Sequence, residues 1–590
     1  MLFRSLEIIK SKIRGVVSEG MICAEDELGI GTSHDGILIL SNDAIPGTSA
    51  SDYLKLEDDV VFEIGLTPNR SDAASHYGVA RDLAAVLNCK TESNNYQAKL
   101  SGIHELPPPS GTLTTQISII NSEACKRYCG LTITGVQVKE SPEWLKNCLH
   151  AIGLRPINNI VDITNFVLHE TGQPLHAFDA FKIKGQKIEV KKCSEGTTFT
   201  TLDGTERKLS AHDLMICDTE KPLCLAGVFG GLYSGVTEET TAVFLESAYF
   251  DPSHIRSSSK RHGLKTDASF RFERGTDPEM TIPALLRAAH LILECCGGTI
   301  SSELTDYYPD PIPPAKIAFS YENCFSLIGK EIPKTTVKNI LTSLGIQIVT
   351  EGNDGLVLNV PAYKTDVNRE ADITEEILRV YGYNNVEESG KFCFSVQNDS
   401  ASVKLALENK IADLFSSQGF REIMNTSLSK EHYYHNGEQN ISVVNPLSAD
   451  LNVLRRTLVY GGLETIAYNL NRKNQDLKFF EFGRVYSKNI SEENSFPYEE
   501  EKRLALFVTG KVYSENAYQL QRESDFYGLK SYVHLLLEKT GINSFKALEA
   551  TTDFFEFGQQ YTWKKKTLVV FGKLKDRKST RLNSSHGYIS

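Results

Sequence analysis

The stretch VPAYKTDVNREADITEEILRVYGY, Val360 to Tyr383, gathers five carboxylates and sets three of them on one face of a helix. Ile373, Ile377, Val380 and Tyr381 recur at helical spacing, and Gly382 supplies a stop signal. Asp372, Glu375 and Glu376 are then i, i+3 and i+4 neighbours, with Asp366 one short segment upstream and able to fold back toward them. Like charges this close repel unless a cation sits among them. The cluster contains no His or Cys, so its hard oxygens point to Mg²⁺ rather than zinc. Acidic residues in the first turn of a helix also complement the macrodipole with no metal at all, and the residues leave both readings open.

The chain around this helix has 590 residues, enough for about four domains of roughly 150 residues each. Its 41% hydrophobic and 23% charged content is that of an ordinary globular protein. No apolar run approaches the roughly 18 residues of a membrane span, and MLFRSLEIIKSKIRG lacks the apolar core of a secretory signal. The 12 cysteines include no C-x-x-C pair, which argues against zinc and a disulfide framework and for reduced, cytoplasmic thiols. A net charge of -12 excludes a protein coated in basic surface, so any RNA contact must be local.

Consecutive prolines in LPPPSG (Leu106 to Gly111) mark the clearest linker. Before it, FEIGLTPNRSDAASHYGVARDLAAVLN predicts a strand, a Pro-Asn turn and a helix from about Ala73 to Leu87 capped by Ser71 or Asp72. From Thr114 to Ile300, short strands such as QISII, LTITGVQV, KIEVKK and AVFLESAYF alternate with helical pieces and Gly turns, an α+β pattern. A compact unit follows to Glu388, with a helix near Lys334 to Leu344, the strand GLVLNV and the acidic helix. The remainder to Leu574 opens with the amphipathic VKLALENKIADLFSSQGF and contains the strand FFEFGRVY.

Three phrases concentrate chemistry: GLRPINNIVDITNFVLHETGQPLHAFD (Gly153 to Asp179), LAGVFGGLYSGVTEETTAVFLESAYFDP (Leu225 to Pro252) and HGLKTDASFRFERGTDP (His262 to Pro278). The His of PLHAF, taken alone, reads as a satisfied core or turn residue. Glu246 is more suggestive, because a carboxylate pointing inward from a strand must be paired. The glycines of AGVFGG form a tight turn or approach a ligand, but lack the Lys and spacing of a P-loop. Between Arg256 and Arg274, six basic residues face two acidic ones, a net +4 and the best candidate for contact with a nucleic-acid backbone. The same residues also suit a solvated face with internal ion pairs.

Together with EEILRVYGY and TPNRSD followed by GVARDLAAVL, these phrases closely resemble the beta subunit of bacterial phenylalanyl-tRNA synthetase, over almost everything from Lys12 to Leu574. The resemblance implies an α+β multidomain fold with an editing domain, winged-helix-like small domains and a degenerate class II synthetase antiparallel-sheet core. The expected boundaries are 1–41 for a remnant of an OB-fold insert, 42–105 for a first small domain, 106–113 for a linker and 114–300 for the editing domain. A B5-like domain then spans 301–388 and the synthetase-like core 389–575, with a non-family tail at 576–590.

The resemblance assigns Mg²⁺, shared with an alpha subunit, to Asp366, Asp372, Glu375 and Glu376. It also implies an (αβ)₂ assembly in which the partner uses ATP to charge tRNA(Phe) with phenylalanine, while this chain hydrolyses mischarged tyrosyl-tRNA(Phe). Such editing is needed because a hydrophobic pocket rejects an added hydroxyl by only about a hundredfold. The family pattern places Glu246 at the phenolic hydroxyl, with Gly230 and Ala268 keeping the pocket roomy. His176 and Thr164 fall near the ester, Thr266 at another pocket position, and Ala226 and Gly227 could offer backbone amides to the carbonyl. Arg455 and Arg456 sit where synthetase cores bind ATP, but no later Gly-rich phrase ending in Arg follows, so they read as structural or interface residues. A scaffold with a defunct pocket and a free-standing hydrolase are the alternatives.

Both ends depart from the family pattern: most of the OB fold is expected to be missing, and Met1 is not expected to be the natural start. DRKSTRLNSSHGYIS fits no element and reads as an artefact of cloning or sequence assembly.

Overall fold

The computed structural model describes residues 10–13, 15–20, 22–28, 34–54, 60–90, 96–388, 390, 394–395, 400–434, 439–488, 497–513, 518, 522–550, 552, 554–575 and 587–589. The chain divides into two units, Met1–Gly390 and Lys391–Ser590. Both mix helices with several sheets, as the α+β reading expects.

In the first unit a paired Ser11–Ile13 and Val16–Ser18 and two single-turn helices, Glu25–Leu28 and Ala50–Tyr53, precede a short 3-10 turn, Ser71–Ala73, and helix α1 (His76–Lys90). The helix starts later than its periodicity suggests because Ser75, not Ser71 or Asp72, accepts the Gly78 amide at 2.9 Å. The turn closes tightly over Gly78, where a Cβ would lie 2.2 Å from the Asp72 carbonyl oxygen.

Two sheets then face each other. One contains β1 (Gln116–Ile119), β4 (Lys187–Lys192), β5 (Leu214–Cys217), β6 (Pro222–Leu225) and β7 (Phe229–Gly230), in the order β7-β6-β5-β4-β1. The other places β8 (Ala242–Phe250) between β2 (Cys125–Thr134) and β3 (Leu175–Asp179). Both β2 and β8 are buried on both faces, which accounts for their nearly continuous apolar runs. The period of two sends Phe244, Ala248 and Phe250 toward the facing sheet with Tyr128 and Phe178. Val243 and Leu245 instead meet helices α3 (Asn159–Thr171) and α6 (Thr281–Cys296) through Ile160, Ile163, Val167, Ala288 and Ile292. Helices α4 (Pro252–His262) and α5 (Asp267–Phe272) close the end nearest β7, with Ile255 and Phe272 in the intersheet core.

The antiparallel sheet of β9 (Ala315–Ser320), β11 (Gly355–Val360) and β10 (Gln347–Glu351) packs with α7 (Tyr321–Ile328), α8 (Lys334–Ser343) and α9 (Glu370–Tyr381). Ile373, Ile377 and Val380 are buried here, on the face their spacing predicts. Ala85 of α1 belongs to this same core, with Val86 and Cys89 against it. Among the described residues, α1 thus contributes to the core of the segment 301–388, while its Tyr77 packs against that of the preceding segment.

In the second unit a seven-stranded sheet runs Arg421–Glu422, β12 (Leu477–Lys488), β13 (Tyr498–Thr509), β17 (Gly587–Ile589), β16 (Lys566–Leu574), β15 (Phe555–Trp563) and β14 (Lys546–Glu549). All neighbours are antiparallel except the first pair. Helices α10 (Ser400–Ser417), α11 (Val459–Leu470) and α12 (Phe526–Lys539) accompany it. The tail corrects the sequence reading: Gly587–Ile589 fits an element, pairing with β13 at Leu506 and β16 at Phe571. Two strands with free backbone groups accept a third whatever its flanking composition. The rest of the tail, 576–586 and 590, lies outside the described residues, as does much of 1–41.

Candidate functional site

The β8–β3 register places Glu246 directly opposite His176, on the face that looks into the intersheet space. The imidazole stands edge-on to Phe178, ring centroids 4.5 Å apart, and its Nε2 is buried with no hydrogen-bond partner. Burial lowers its pKa to about 4, so the ring is neutral near pH 7. Glu246 is only 4% exposed, and its Oε2 is likewise buried and unpaired. Burial pushes its carboxyl up to about 8, while the neighbouring Tyr128 hydroxyl acts in the opposite direction. Two adjacent buried groups with unmet hydrogen bonds are costly to keep, which makes this the candidate site.

Gly230 forms one wall: a Cβ there would lie 2.9 Å from His176 Cε1 and 2.8 Å from Leu202 Cδ1. Thr266 caps α5, accepting the Ser269 amide at 3.0 Å, and its hydroxyl donates to the Val228 carbonyl at 2.9 Å. This tie fixes α5 beside the turn that leads into Gly230, and Ala268 packs against the same intersheet core. The structure therefore gathers Glu246, His176 and Gly230, with Thr266 and Ala268 at the adjoining helix end.

Two expectations fare differently. Thr164 lies on α3, the helix covering the opposite face of the β8 sheet, and its hydroxyl donates to Val161 O at 2.7 Å. The Ala226 amide is not free for a ligand, because it donates to Leu214 O at 3.0 Å. Tyr128 was not singled out by the sequence; the alternation of KRYCG on a strand opposite AVFLESA is the signal that could have found it.

Asp372, Glu375 and Glu376 of α9 and Asp366 just upstream line one small cleft with Arg70, Asp72 and Lys364. Lys364 Nζ donates to Glu376 Oε2 at 2.6 Å and to Asp72 at 3.3 Å. Arg379 reaches Glu376 at 3.1 Å and Asp82 at 3.0 Å, and Arg70 binds both Asp72 and Asp82. The result is a network of three cations and three carboxylates joining α1 to α9. Burial would raise the Glu376 carboxyl, but Lys364 and Arg379 outweigh it and hold the group below its ordinary value. Asp372 accepts the Asn368 and Arg369 amides at 3.0 and 2.8 Å and pairs with the Arg369 guanidinium, which ties the start of α9 to the segment before it.

Asp366 and Glu375 are exposed. Among the described residues no three His, Cys, Asp or Glu side chains gather closely enough to hold a metal ion. Glu376 and Asp372 are thus ion-paired within the chain, while Asp366 and Glu375 face solvent at the same cleft.

The basic segment divides in the same way. Asp213, fully buried, accepts Ser258 Oγ at 2.6 Å and His262 Nε2 at 2.8 Å and binds Arg261. Arg271 is buried against the Ala74 and Asp267 carbonyls, and Arg274 pairs with Glu273 at 2.6 Å. Arg256, Lys260 and Lys265 remain exposed.

A B3/4 domain family model matches residues 124–297, which hold Glu246, His176 and the basic segment. A tRNA synthetase B5 domain model matches 317–383, and a phenylalanyl tRNA synthetase beta chain CLM domain model matches 394–583. The phenylalanine–tRNA ligase beta subunit of Bacteroides fragilis (strain YCH46) is 52% identical over 548 residues, 91% of this chain and 66% of its own. That of Fusobacterium nucleatum is 36% identical over 576 residues, 97% of this chain and 71% of its own.

The chain belongs to the phenylalanine–tRNA ligase beta subunit family.

It spans about two thirds, 66%, of the length of the Bacteroides relatives. A solved N-terminal fragment of the phenylalanyl-tRNA synthetase beta subunit from Pyrococcus horikoshii is 16% identical, covering 54% of this chain and 85% of its own with a TM-score of 0.28.

The part of the chain matched by the CLM model contains Arg455. Its guanidinium is buried and donates to Glu481 Oε1 at 2.6 Å and to Arg484 O at 2.9 Å, while Asn425 holds the second oxygen of Glu481 at 2.9 Å. A guanidinium so consumed braces the sheet, in keeping with the structural reading. Arg456 instead donates to Gln439 at 2.5 Å.

Proposed function

We propose that this chain is the beta component of a phenylalanine–tRNA ligase, working in the cytoplasm in an (αβ)₂ assembly. The alpha partner would charge tRNA(Phe) with phenylalanine using ATP, and this chain would hydrolyse tyrosyl-tRNA(Phe). The observation that carries the editing role is the unpaired, buried Glu246 carboxyl opposite an unpaired, neutral imidazole. A tyrosyl hydroxyl entering beside Glu246 gives that carboxyl a hydrogen bond that a phenylalanyl ring cannot, a difference of about 1–3 kcal/mol. Gly230 leaves room for His176 to face the ester, and a pKa near 4 makes that imidazole a weak base, suited to orienting water.

The test is deacylation of tyrosyl-tRNA(Phe) against phenylalanyl-tRNA(Phe), by the chain alone and with its alpha partner. Selective loss of the tyrosyl ester is expected, falling at least about tenfold in Glu246→Ala. Unchanged selectivity in that variant would refute the pocket assignment, and full activity without the partner would favour a free-standing hydrolase. The commitment of the Thr164 hydroxyl and the Ala226 amide to their own backbone favours the second reading, a scaffold with a defunct pocket. That reading predicts no selective hydrolysis in a mixture that still charges phenylalanine.

For the tRNA backbone, Arg256, Lys260 and Lys265 are the available cations. Reversing Lys260 and Lys265 to Glu should weaken tRNA binding and flatten the slope of log affinity against log salt by about one to two. An unchanged slope in filter-binding titrations at several salt concentrations would remove this face from the RNA contact. A Mg²⁺ ion at Asp366, Asp372, Glu375 and Glu376, shared with the alpha partner, would bind beside Lys364, Arg379 and Arg369, which pair with Glu376 and Asp372.

A further inference from the structure

Glu246 and Tyr128 lie on neighbouring strands. Glu246 stands opposite Gly130 and Tyr128 opposite Ala248, so the two side chains are diagonal neighbours on the same face of the sheet. Diagonal pairs of this kind are within reach when one member is aromatic and the other long. Tyr128 is completely buried, and its hydroxyl, like Glu246 Oε2, has no hydrogen-bond partner. A buried phenol costs less when its hydroxyl is bonded, and nothing in the apolar core around it requires that hydroxyl.

The other titratable groups facing Glu246 do not compete for it. On β2, Cys125 turns its thiol to the Arg127 carbonyl at 3.6 Å. On β6, Cys224 turns its thiol to the Leu225 and Phe229 carbonyls at 3.5 and 3.4 Å. Burial raises both thiols well above their ordinary range, so neither carries charge. On β3, His176 is neutral. Thr132, the other diagonal neighbour of Glu246, also has a buried hydroxyl without a partner, but a diagonal is spanned by an aromatic side chain and not by one as short as threonine, which leaves Tyr128 as the donor from the core side.

We propose that Tyr128 is the positioning residue of the editing pocket, its hydroxyl holding the inner oxygen of Glu246 so that the other is presented to the substrate's phenol. The proposal rests on the editing reading of this site. It gives Glu246 a fixed orientation before substrate arrives, and it places a neutral donor where ionised Glu246 needs one. Selectivity for the tyrosyl ester should rise as Glu246 ionises, because hydrogen bonds to a charged acceptor are stronger.

The experiment is infrared titration of the Glu246 carboxyl in the full chain, its band assigned by loss in Glu246→Gln, alongside the pH profile of tyrosyl over phenylalanyl deacylation. Tyr128→Phe removes one oxygen and keeps the ring. It should raise the carboxyl midpoint by about one pH unit and carry the selectivity inflection up with it. An unmoved midpoint in Tyr128→Phe, with hydrolysis still sensitive to Glu246→Ala, would overturn the proposal and leave the editing reading intact. A moved midpoint in a protein without selective hydrolysis would sustain the pairing and sink the editing reading. If the variant does not fold, the Tyr128 Cζ resonance of unaltered, tyrosine-labelled chain decides: it titrates with Glu246 if they are paired, and stays constant if they are not.

Discussion

Lys364→Met is expected to destabilise the first unit by about 3 kcal/mol at neutral pH. Lys364 is 6% exposed and stands between Glu376 and Asp72, both of which are also largely buried. Without it, Arg70 and Arg379 must balance three carboxylates, and one buried negative charge is left over. Burial works to raise Asp72 and Glu376, and their cations more than offset it, so both sit below the ordinary carboxylate range in the folded state. A depressed folded pKa contributes stability that is present above the unfolded pKa and is lost as pH falls through the folded one. The difference between wild type and variant should therefore be full at pH 7 and shrink in acid, below about pH 4. Urea unfolding together with hydrogen exchange of the α1 and α9 amides at both pH values checks this. Equal protection at pH 7 would show that the network is not what joins the two helices. Lys364→Met with Glu376→Met should recover most of the loss, since removing both partners leaves no orphan charge.

The second large effect runs the other way. Glu246→Gln is expected to stabilise the chain above pH 8, by an amount on the order of 3–5 kcal/mol. The unfolded carboxyl ionises near its ordinary value of 4.5, and the folded one near 8. Between these values the folded state holds a proton that the unfolded state releases, so wild-type stability falls as pH rises through this window. Glutamine has no charge to bury and escapes that slope. Melting curves of the two proteins should coincide at pH 4 and separate progressively toward pH 8.5. Parallel curves across the range would mean that Glu246 is solvated in the folded chain.

Local sequence patterns carried the elements well. The Ile373, Ile377 and Val380 spacing marks the buried face of α9, and the apolar run at AVFLESAYF marks a strand buried on both sides. Each rests on a period of 3.6 or 2 that neighbouring residues reveal by themselves. The tail reads poorly for the same reason: its polar stretch dominates the composition, while the pairing of Gly587–Ile589 depends on two strands far away in the chain.

The site was legible in part. Glu246 stood out as a carboxylate on an apolar strand, but His176 by itself resembled any core histidine. Strand register makes them neighbours, and the same register brings Tyr128 to the carboxylate's other side. The acidic helix shows the limit most clearly. From the sequence, its carboxylates repel and call for a cation. Which cation answers is a matter of tertiary structure: Lys364 reaches across 292 residues to Asp72, and Arg379 across 297 to Asp82. Periodicity determines which face of an element is apolar, because each residue's direction follows from its neighbours. Charge compensation depends on distance in space, and only the packing of α1 against α9 sets that distance.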